Sequence, residues 1–165
     1  MPSLSIREKA VAVLVARLGT ISTEDGYWHT VSAEAVERNN WDEDWPSTVP
    51  AVAINEVQET KELQNAQGQY ECTLDLSVEL VIAYAGRDIQ TEKNKMVSDL
   101  VKAIGEQFEV SDASDPVRTE TVEPRFVGSR DAETGDGSKL LVQLFLELFY
   151  RHSLVDDTMF WVVPT

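Results

Sequence analysis

The sequence predicts an α+β fold, a two-layer domain in which two helices pack on a mainly antiparallel sheet of about five strands, in the order α-β-β-β-α-β-β. Three observations support this prediction. Apolar and polar residues alternate over 70–85, as in a strand with one buried face. Two segments, 5–18 and 88–108, repeat apolar residues at helical spacing. A further pair of strand-like segments follows the second helix, and one sheet covered on one face by both helices satisfies this order.

The first predicted elements are a helix and a strand. Apolar residues recur at helical spacing over 6–18, and Ser5 and Glu8 have the spacing of a capping box. Residues 27–36 are predicted to form a strand. The polar segment 39–48, which contains tryptophan and proline, is predicted to be a loop.

The middle of the chain predicts a hairpin and then the second helix. Residues 51–57 have an apolar strand pattern, and the polar segment 61–69 joins them to the strand 70–85 as a hairpin tip. Asp88 is predicted to cap the second helix, whose apolar stripe extends to Phe108.

The last third predicts a second hairpin after a loop at 110–118. Its arms are 121–129 and 140–153, and the polar segment 131–139 connects them. Pro124 is tolerable only at a sheet edge or an irregularity. Because the final arm is largely apolar on both faces, it is expected to be a central strand.

Residues 1–153 are predicted to form a single domain, followed by a C-terminal extension at 154–165. The extension carries an apolar run that includes Phe160 and Trp161. Exposed apolar ends are rare on monomers, so this run is expected either to pack back on its own domain or to dock on a neighbouring molecule.

The chain is strongly acidic, with 29 Asp and Glu residues against 14 Lys and Arg residues and a net charge of −15. Binding nucleic acid through its phosphates requires clustered basic residues, whereas here they are scattered. Specific binding of DNA is therefore not expected. An acidic wall, such as the face of the 70–85 strand that carries Asp75 and Glu79, would let DNA pass without sticking, although the charge would also serve solubility alone.

No secretion or membrane signal is recognised. Charged residues such as Arg7 and Lys9 interrupt the first apolar segment, and no apolar run approaches the roughly 20 residues that span a bilayer. The single cysteine, Cys72, falls in the apolar register of its strand and is predicted to be a core residue. The chain is therefore expected in the cytoplasm where it is made, without a membrane partner.

The sequence offers no catalytic constellation. The only histidines, His29 and His152, lie in or at the end of predicted strands, and no Gly-x-Ser-x-Gly turn is present. Both histidines are interpreted as structural or surface residues. No catalytic residue is predicted, and the protein is predicted not to be an enzyme.

No metal or cofactor site is predicted either. One cysteine and two histidines do not make a closed zinc site. Asp131, Glu133 and Asp136 alternate oxygen ligands near glycines, but the EF-hand pattern is not met, and these residues are interpreted as a solvated hairpin tip. The run GDGSK at 135–139 is too short for a phosphate-binding loop.

Three stretches follow one another in a recognisable order: an N-terminal helix of the form IREKAVAVLVARL, a strand that opens after Trp45-Pro46 and runs to Ile54, and the strand, Gly-Arg-Asp and helix of 70–108. The closing strand 140–152 completes the pattern. In this order of elements the chain resembles the tail-terminator proteins of long-tailed bacteriophages, which are also called minor tail or tail-completion proteins.

The resemblance implies a structural virion protein that assembles in the host cytoplasm and resides in the virion tail. It implies a homo-oligomeric ring, a hexamer, that caps the tail tube protein, ends tube polymerisation and contacts a head-side connector or neck protein. DNA would pass through the ring without specific binding. Asp75 and Glu79 are the candidate lumen residues.

The hairpin tips are the first candidates for subunit or tail-tube contacts, because long hairpins with polar tips can reach a neighbour. The candidate residues are Lys61, Gln64, Asn65, Gln67, Asp131, Glu133, Asp136 and Lys139. Phe160 and Trp161 are the candidates for a docking tail.

Two other classes of protein remain open from the sequence. One is another ring-forming component of the neck or head-tail connector. The other is a small α+β enzyme or ligand-binding domain, which is less favoured because no convergent polar pocket can be assembled from the sequence.

Overall fold

The computed structural model describes residues 4–40, 45–63, 69–84, 86, 88–111, 119–133 and 137–153. The α+β prediction is confirmed, with two helices and six strands in this part of the chain, one more strand than expected. The elements are α1 (Ile6–Leu18), β1 (Val36–Arg38), β2 (Ala51–Leu63), β3 (Gln69–Ala83), α2 (Ile89–Ile104), β4 (Phe108–Ser111), β5 (Thr119–Glu133) and β6 (Lys139–Ser153).

The strands form one sheet in the order β1-β2-β3-β6-β5-β4. Only β1 and β2 are parallel, and every other neighbouring pair is antiparallel. β3 and β6 pair along their whole length, from Gln69 opposite Ser153 to Ala83 opposite Lys139. The prediction that the last arm is a central strand is thus confirmed.

One face of this sheet carries the core. Along β3 the side chains of Leu74, Leu76 and Val78 are buried, and their partners on β6 are also buried leucines. These side chains form one cluster with the buried residues of both helices, so α1 and α2 cover the same face. Cys72 is buried in this cluster, as predicted.

Charged side chains fasten α1 to the sheet. Arg38 of β1 makes a two-pronged ion pair with Glu8 of α1, at 2.7 and 2.8 Å, and a third ion pair at 2.8 Å with Glu56 of β2. Burial opposes ionisation of Glu56, but hydrogen bonds from Asn39, Arg7 and Arg38 outweigh it and lower its pKa. The network therefore holds α1, β1 and β2 in one arrangement.

The second helix ends four residues earlier than Phe108, where it was expected to end. Gly105 follows its last residue with a φ of 66°, a conformation that favours glycine. Arg17 of α1 donates a hydrogen bond to the carbonyl of Ile104 at 2.5 Å and lies over the ring of Phe108. Phe108 can then start β4 as a buried strand residue.

The strand predicted at 27–36 is wrong for most of its length. Asp99 of α2 accepts the backbone N–H groups of Trp28 and His29, and the Val31 N–H bonds to the carbonyl of Ile21. The backbone N–H groups of Trp28, His29 and Val31 are therefore not available for pairing with a neighbouring strand. A short 3₁₀ turn follows at Ala33–Ala35, and only Val36 enters a strand.

The boundaries near the loops also differ from the predictions. Val110 and Ser111 belong to β4, not to a loop, while 112–118 lie outside the described residues. β2 continues through Lys61 to Leu63, so the predicted tip is shorter. The extension 154–165 also lies outside the described residues.

Candidate assembly surfaces

The sheet face opposite the helices is called here the helix-free face. It is built from alternate residues of four neighbouring strands, whose registers place their side chains in rows across the sheet. Its central residues are Ala53, Asn55 and Gln58 of β2, Asp75, Ser77 and Glu79 of β3, Gln143, Phe145, Glu147 and Phe149 of β6, and Arg125 and Arg130 of β5.

Two β-bulges lie at the same level of this face. β2 shifts register between Glu56 and Gln58, and β5 shifts between Phe126 and Gly128. The extra residues are Val57 and Val127, whose exposed fractions are 62% and 64%. A bulge bends its strand and redirects a side chain, which explains how two valines become exposed in a well-packed sheet.

A groove crosses the helix-free face at the level of these bulges. Its volume is about 300 Å³, and its lining is mainly apolar. The lining residues are Val57, Asp75, Leu76, Val127, Phe145, Leu146 and Glu147. The groove therefore spans all four strands from one bulge to the other.

A chain of hydrogen bonds on the helix-free face links strands β5, β6 and β3. Arg130 of β5 donates to the side-chain oxygen of Gln143 at 2.5 Å, and the Gln143 amide donates to Glu79 of β3 at 2.9 Å. Burial raises the pKa of Glu79, while the charge of Arg130 partly offsets this effect. Glu79, a candidate lumen residue, is thus half-buried and hydrogen-bonded inside the face.

Asp75, the other candidate lumen residue, lies at the groove. It accepts a hydrogen bond from Gln58 at 2.8 Å and is paired in register with Glu147. Two strands away, Arg125 of β5 lies 4.4 Å from the ring centre of Phe149 on β6. The helix-free face is therefore acidic on β3 and basic on β5, with aromatic rings between them.

The two hairpin tips lie at opposite ends of the sheet. The tip between β2 and β3 follows Leu63, next to the end of β6 at Ser153. The tip between β5 and β6 lies beside Tyr84, whose N–H bonds to the carbonyl of Ser138 at 2.9 Å. A molecule that contacts both tips would therefore contact two different ends of the domain.

The described candidate tip residues are not brought together. Lys61 lies within β2, 3.9 Å from Glu59, and Asp131 is held by Lys93 of α2 at 2.8 Å. Lys139 donates to the carbonyl of Pro46 at 3.3 Å, which ties the 45–50 loop to the end of the helix-free face.

The side chains of the other candidate tip and tail residues are not among those that the structure describes. Glu133 is the last residue of β5, and its side chain is not described. Gln64, Asn65, Gln67, Asp136, Phe160 and Trp161 lie outside the described residues.

The short outer strands β1 and β4 cover only part of β2 and β5, so β2 and β5 each keep a long edge that no described strand pairs with. β1 covers only Val52 to Ile54 of β2, and β4 covers only Thr119 to Val122 of β5. The Glu56 N–H is bonded to the side-chain oxygen of Asn39, so residues 57–63 and 123–133 present strand edges on opposite sides of the sheet. Pro124 lies on such an edge, as its lack of an N–H group requires.

Asp99 and Glu92 of α2 lie close to the ring of His29. His29 donates or accepts one hydrogen bond with Asp99 at 2.8 Å and lies 3.7 Å from Glu92, and both acids are almost completely buried. These contacts attach the 25–29 segment to α2. No group of three or more metal-ligating side chains is found among the described residues, and none of their helices is long and apolar enough to cross a membrane.

Comparisons with known proteins add little to this geometry. No family model and no curated protein matches the chain. Among solved structures, a chain from the "Virion of native gene transfer agent (GTA) particle" is similar, with 12% identity, a TM-score of 0.43, and coverage of 89% of this chain and 95% of that chain. A likeness this distant carries no conclusion about function.

Proposed function

We propose that this chain is a structural subunit of a phage-like virion and that it acts as a tail terminator, a ring that caps the tail tube. The observation that carries the proposal is the pair of strand edges at 57–63 and 123–133. A closed ring needs a head-to-tail interface made of two different, complementary surfaces on each subunit. Two strand edges on opposite sides of one sheet meet this requirement.

The strand directions also suit a ring. β2 and β5 run in opposite directions, because three antiparallel pairings separate them. Rotation about an axis parallel to the strands keeps these directions, so the β5 edge of one subunit would meet the β2 edge of the next as an antiparallel pair. Main-chain hydrogen bonds across such a seam supply affinity with little demand on side chains.

In this ring the helices cover the outside, and the helix-free face lines the lumen. Asp75 and Glu147 would present acidic groups to passing DNA, while Glu79 is half-buried and hydrogen-bonded to Gln143 beside it. Like charges repel the DNA backbone, which favours passage over binding. The hairpin tips at opposite ends would then contact the tail tube on one side and the head-side connector on the other.

Proline substitution of the β5 edge tests the ring. Arg125 and Phe126 are both exposed and lie at the level of Gln58 and Glu56 of β2; because they are adjacent, one directs its N–H group toward β6 and the other toward the outer edge. Proline at the inward position breaks a ladder bond and destabilises the fold. Proline at the outward position leaves the fold intact and removes a donor only from the seam.

The measurements are negative-stain electron microscopy of the purified protein with and without tail tubes, and thermal unfolding. We expect rings from the parent chain and from the control Gln90→Ala on α2, and no rings from the proline variant that stays folded. Normal rings from that variant would refute pairing through this edge. A parent chain that stays monomeric and leaves tail tubes uncapped would refute the terminator proposal, and rings that bind a connector but no tube would favour a neck component.

A further inference from the structure

The chain of hydrogen bonds on the helix-free face follows one row of the sheet. Arg130 of β5 donates to Gln143 of β6, and Gln143 donates to Glu79 of β3. These three residues are also partners in register, so they lie side by side across three strands. An arginine, a glutamine and a carboxylate thus occupy successive strands, and each donor bonds the acceptor on the next strand.

A second row carries the same chemistry without the arginine. Gln58 of β2 donates its side-chain amide to Asp75 of β3 at 2.8 Å, and these two residues are partners in register. The side-chain oxygen of Gln58 is then left as an acceptor, which is the role that the oxygen of Gln143 has toward Arg130. Because Gln58 is exposed on the open edge of β2, an arginine that completed this row would stand beyond that edge.

Arg125 stands at the other end of this second row. Its register partners lead from β5 through Glu147 to Asp75 and Gln58. The Arg125 side chain is about half exposed, and its bonds to Glu123 on its own strand are long, at 3.3 Å. A guanidinium carries five N–H donors, so Arg125 has donors for a further acceptor at the β5 edge.

The proposed ring brings the two ends of this row together. Rotation about an axis parallel to the strands keeps every residue at its level, so the β5 edge of one subunit meets the β2 edge of the next row by row. In an antiparallel sheet the hydrogen-bonded and non-hydrogen-bonded pairs alternate along a row. A row of four strands has three pairs, so its end residues, Arg125 and Gln58, direct their backbone N–H groups alike and continue the alternation at the seam.

We propose that Arg125 of one subunit donates a hydrogen bond to the side-chain oxygen of Gln58 of the next subunit and completes an arginine–glutamine–aspartate row across the seam. Because the seam exists only in a ring, this contact rests on the proposed function. Directly opposite side chains have Cβ atoms about 5 Å apart, the same span as the bond from β5 to β6 inside each subunit. The same register brings the exposed Val57 and Val127 to the seam one row apart, where the neighbouring subunit covers them.

Disulfide trapping tests the register. The variant Arg125→Cys with Gln58→Cys places thiols at the two paired positions, while native Cys72 is buried. Within one subunit these positions are three strand spacings apart, about 14 Å, which is too far for a disulfide, so a bond between them joins two subunits. The matched control is Arg125→Cys with Thr60→Cys, because Thr60 is exposed on the same face of β2, two residues further along.

Both variants are oxidised in the presence of tail tubes, inspected by negative-stain electron microscopy and separated under denaturing, non-reducing conditions. We expect the pair at 125 and 58 to give a ladder of cross-linked subunits roughly tenfold faster than the control pair. Rings in which the two pairs react equally fast, or in which the control pair reacts faster, would overturn this register and leave the ring standing. A chain that forms neither rings nor cross-links would refute the ring and this contact together.

A double-mutant cycle tests the hydrogen bond itself, with sedimentation velocity under ring-forming conditions as the measurement. Because both changes remove the same bond, we expect Arg125→Ala, Gln58→Ala and the double variant each to weaken association by about tenfold. Arg130→Ala with Gln58→Ala is the control, since Arg130 bonds inside its own subunit and the two effects should multiply. Effects of Arg125→Ala and Gln58→Ala that also multiply, or that are both absent, would overturn the proposed bond.

Discussion

At the residue scale, single half-buried carboxylates carry the clearest chemical signals. Glu120 of β5 lies opposite Val110 of β4, and burial raises its pKa from 4.5 to about 7, although nearby Arg151 acts in the opposite direction. Between these two pH values the unfolded chain has released its proton while the folded chain still holds it. The contribution of Glu120 to stability therefore falls as pH rises from 4.5 and is least favourable above pH 7.

Replacing Glu120 by glutamine removes this penalty. We expect Glu120→Gln to be more stable than the parent above pH 7 by roughly 1–2 kcal/mol, since partial exposure screens the effect, and to match it below about pH 4.5. Urea unfolding at several pH values measures the difference. Glu109→Gln, at an exposed site on β4, serves as the control. A stability difference that does not change with pH would refute the assignment.

At the element scale, α2 organises a segment that has little regular structure of its own. Asp99 accepts hydrogen bonds from the N–H groups of Trp28 and His29 at 3.0 and 2.9 Å. One turn further, Lys102 donates to the carbonyls of Asp25 and Gly26. Side chains of α2 thus bond the backbone groups of the 25–29 segment, which elsewhere in the chain bond to a neighbouring strand.

Removing the carboxylate of Asp99 tests this role. We expect Asp99→Ala to lower the free energy of unfolding by about 2–4 kcal/mol, because the buried carboxylate accepts two backbone N–H groups and one histidine contact that would all be lost. Gln107→Ala, exposed just beyond the same helix, should change it by less than about 0.5 kcal/mol. Thermal unfolding measures both, and equal small losses would show that the 25–29 segment is held by other contacts.

At the scale of the whole molecule, net charge opposes any assembly of identical copies. Each chain carries a charge of −15, so subunits of the proposed ring repel one another. Salt screens this repulsion over about 10 Å at 0.1 M ionic strength, while main-chain hydrogen bonds at a seam depend little on salt.

We therefore expect self-association to become stronger as sodium chloride is raised, with sedimentation velocity as the measurement. The parent chain and Asp75→Asn can be compared directly, and the variant should need less salt because one negative charge per subunit is gone. Association that weakens steadily with salt would indicate a seam held by ion pairs rather than by strand edges.

The sequence predicted the elements whose pattern is local and repetitive. The helices, the long strand β3 and the central position of β6 follow from apolar residues that recur with a period of 3.6 or 2. It did not predict that 27–32 would lie outside the strands. The reason is that Asp99, about seventy residues away, takes the N–H groups of Trp28 and His29.

Some features of the candidate surfaces could also be predicted from the sequence, and others depended on strand pairing. The alternation around Asp75 and Glu79 identified a polar sheet face from sequence alone, but Arg125 and Arg130 became part of it only through pairing of β5 with β6. Val57 and Val127 read as ordinary strand residues, and only the bulges expose them. Local periodicity therefore determined which residues form helices and strands and which side of β3 is polar. Tertiary structure decided the groove, the opposite positions of the hairpin tips and the open edges, because these depend on which strands lie side by side.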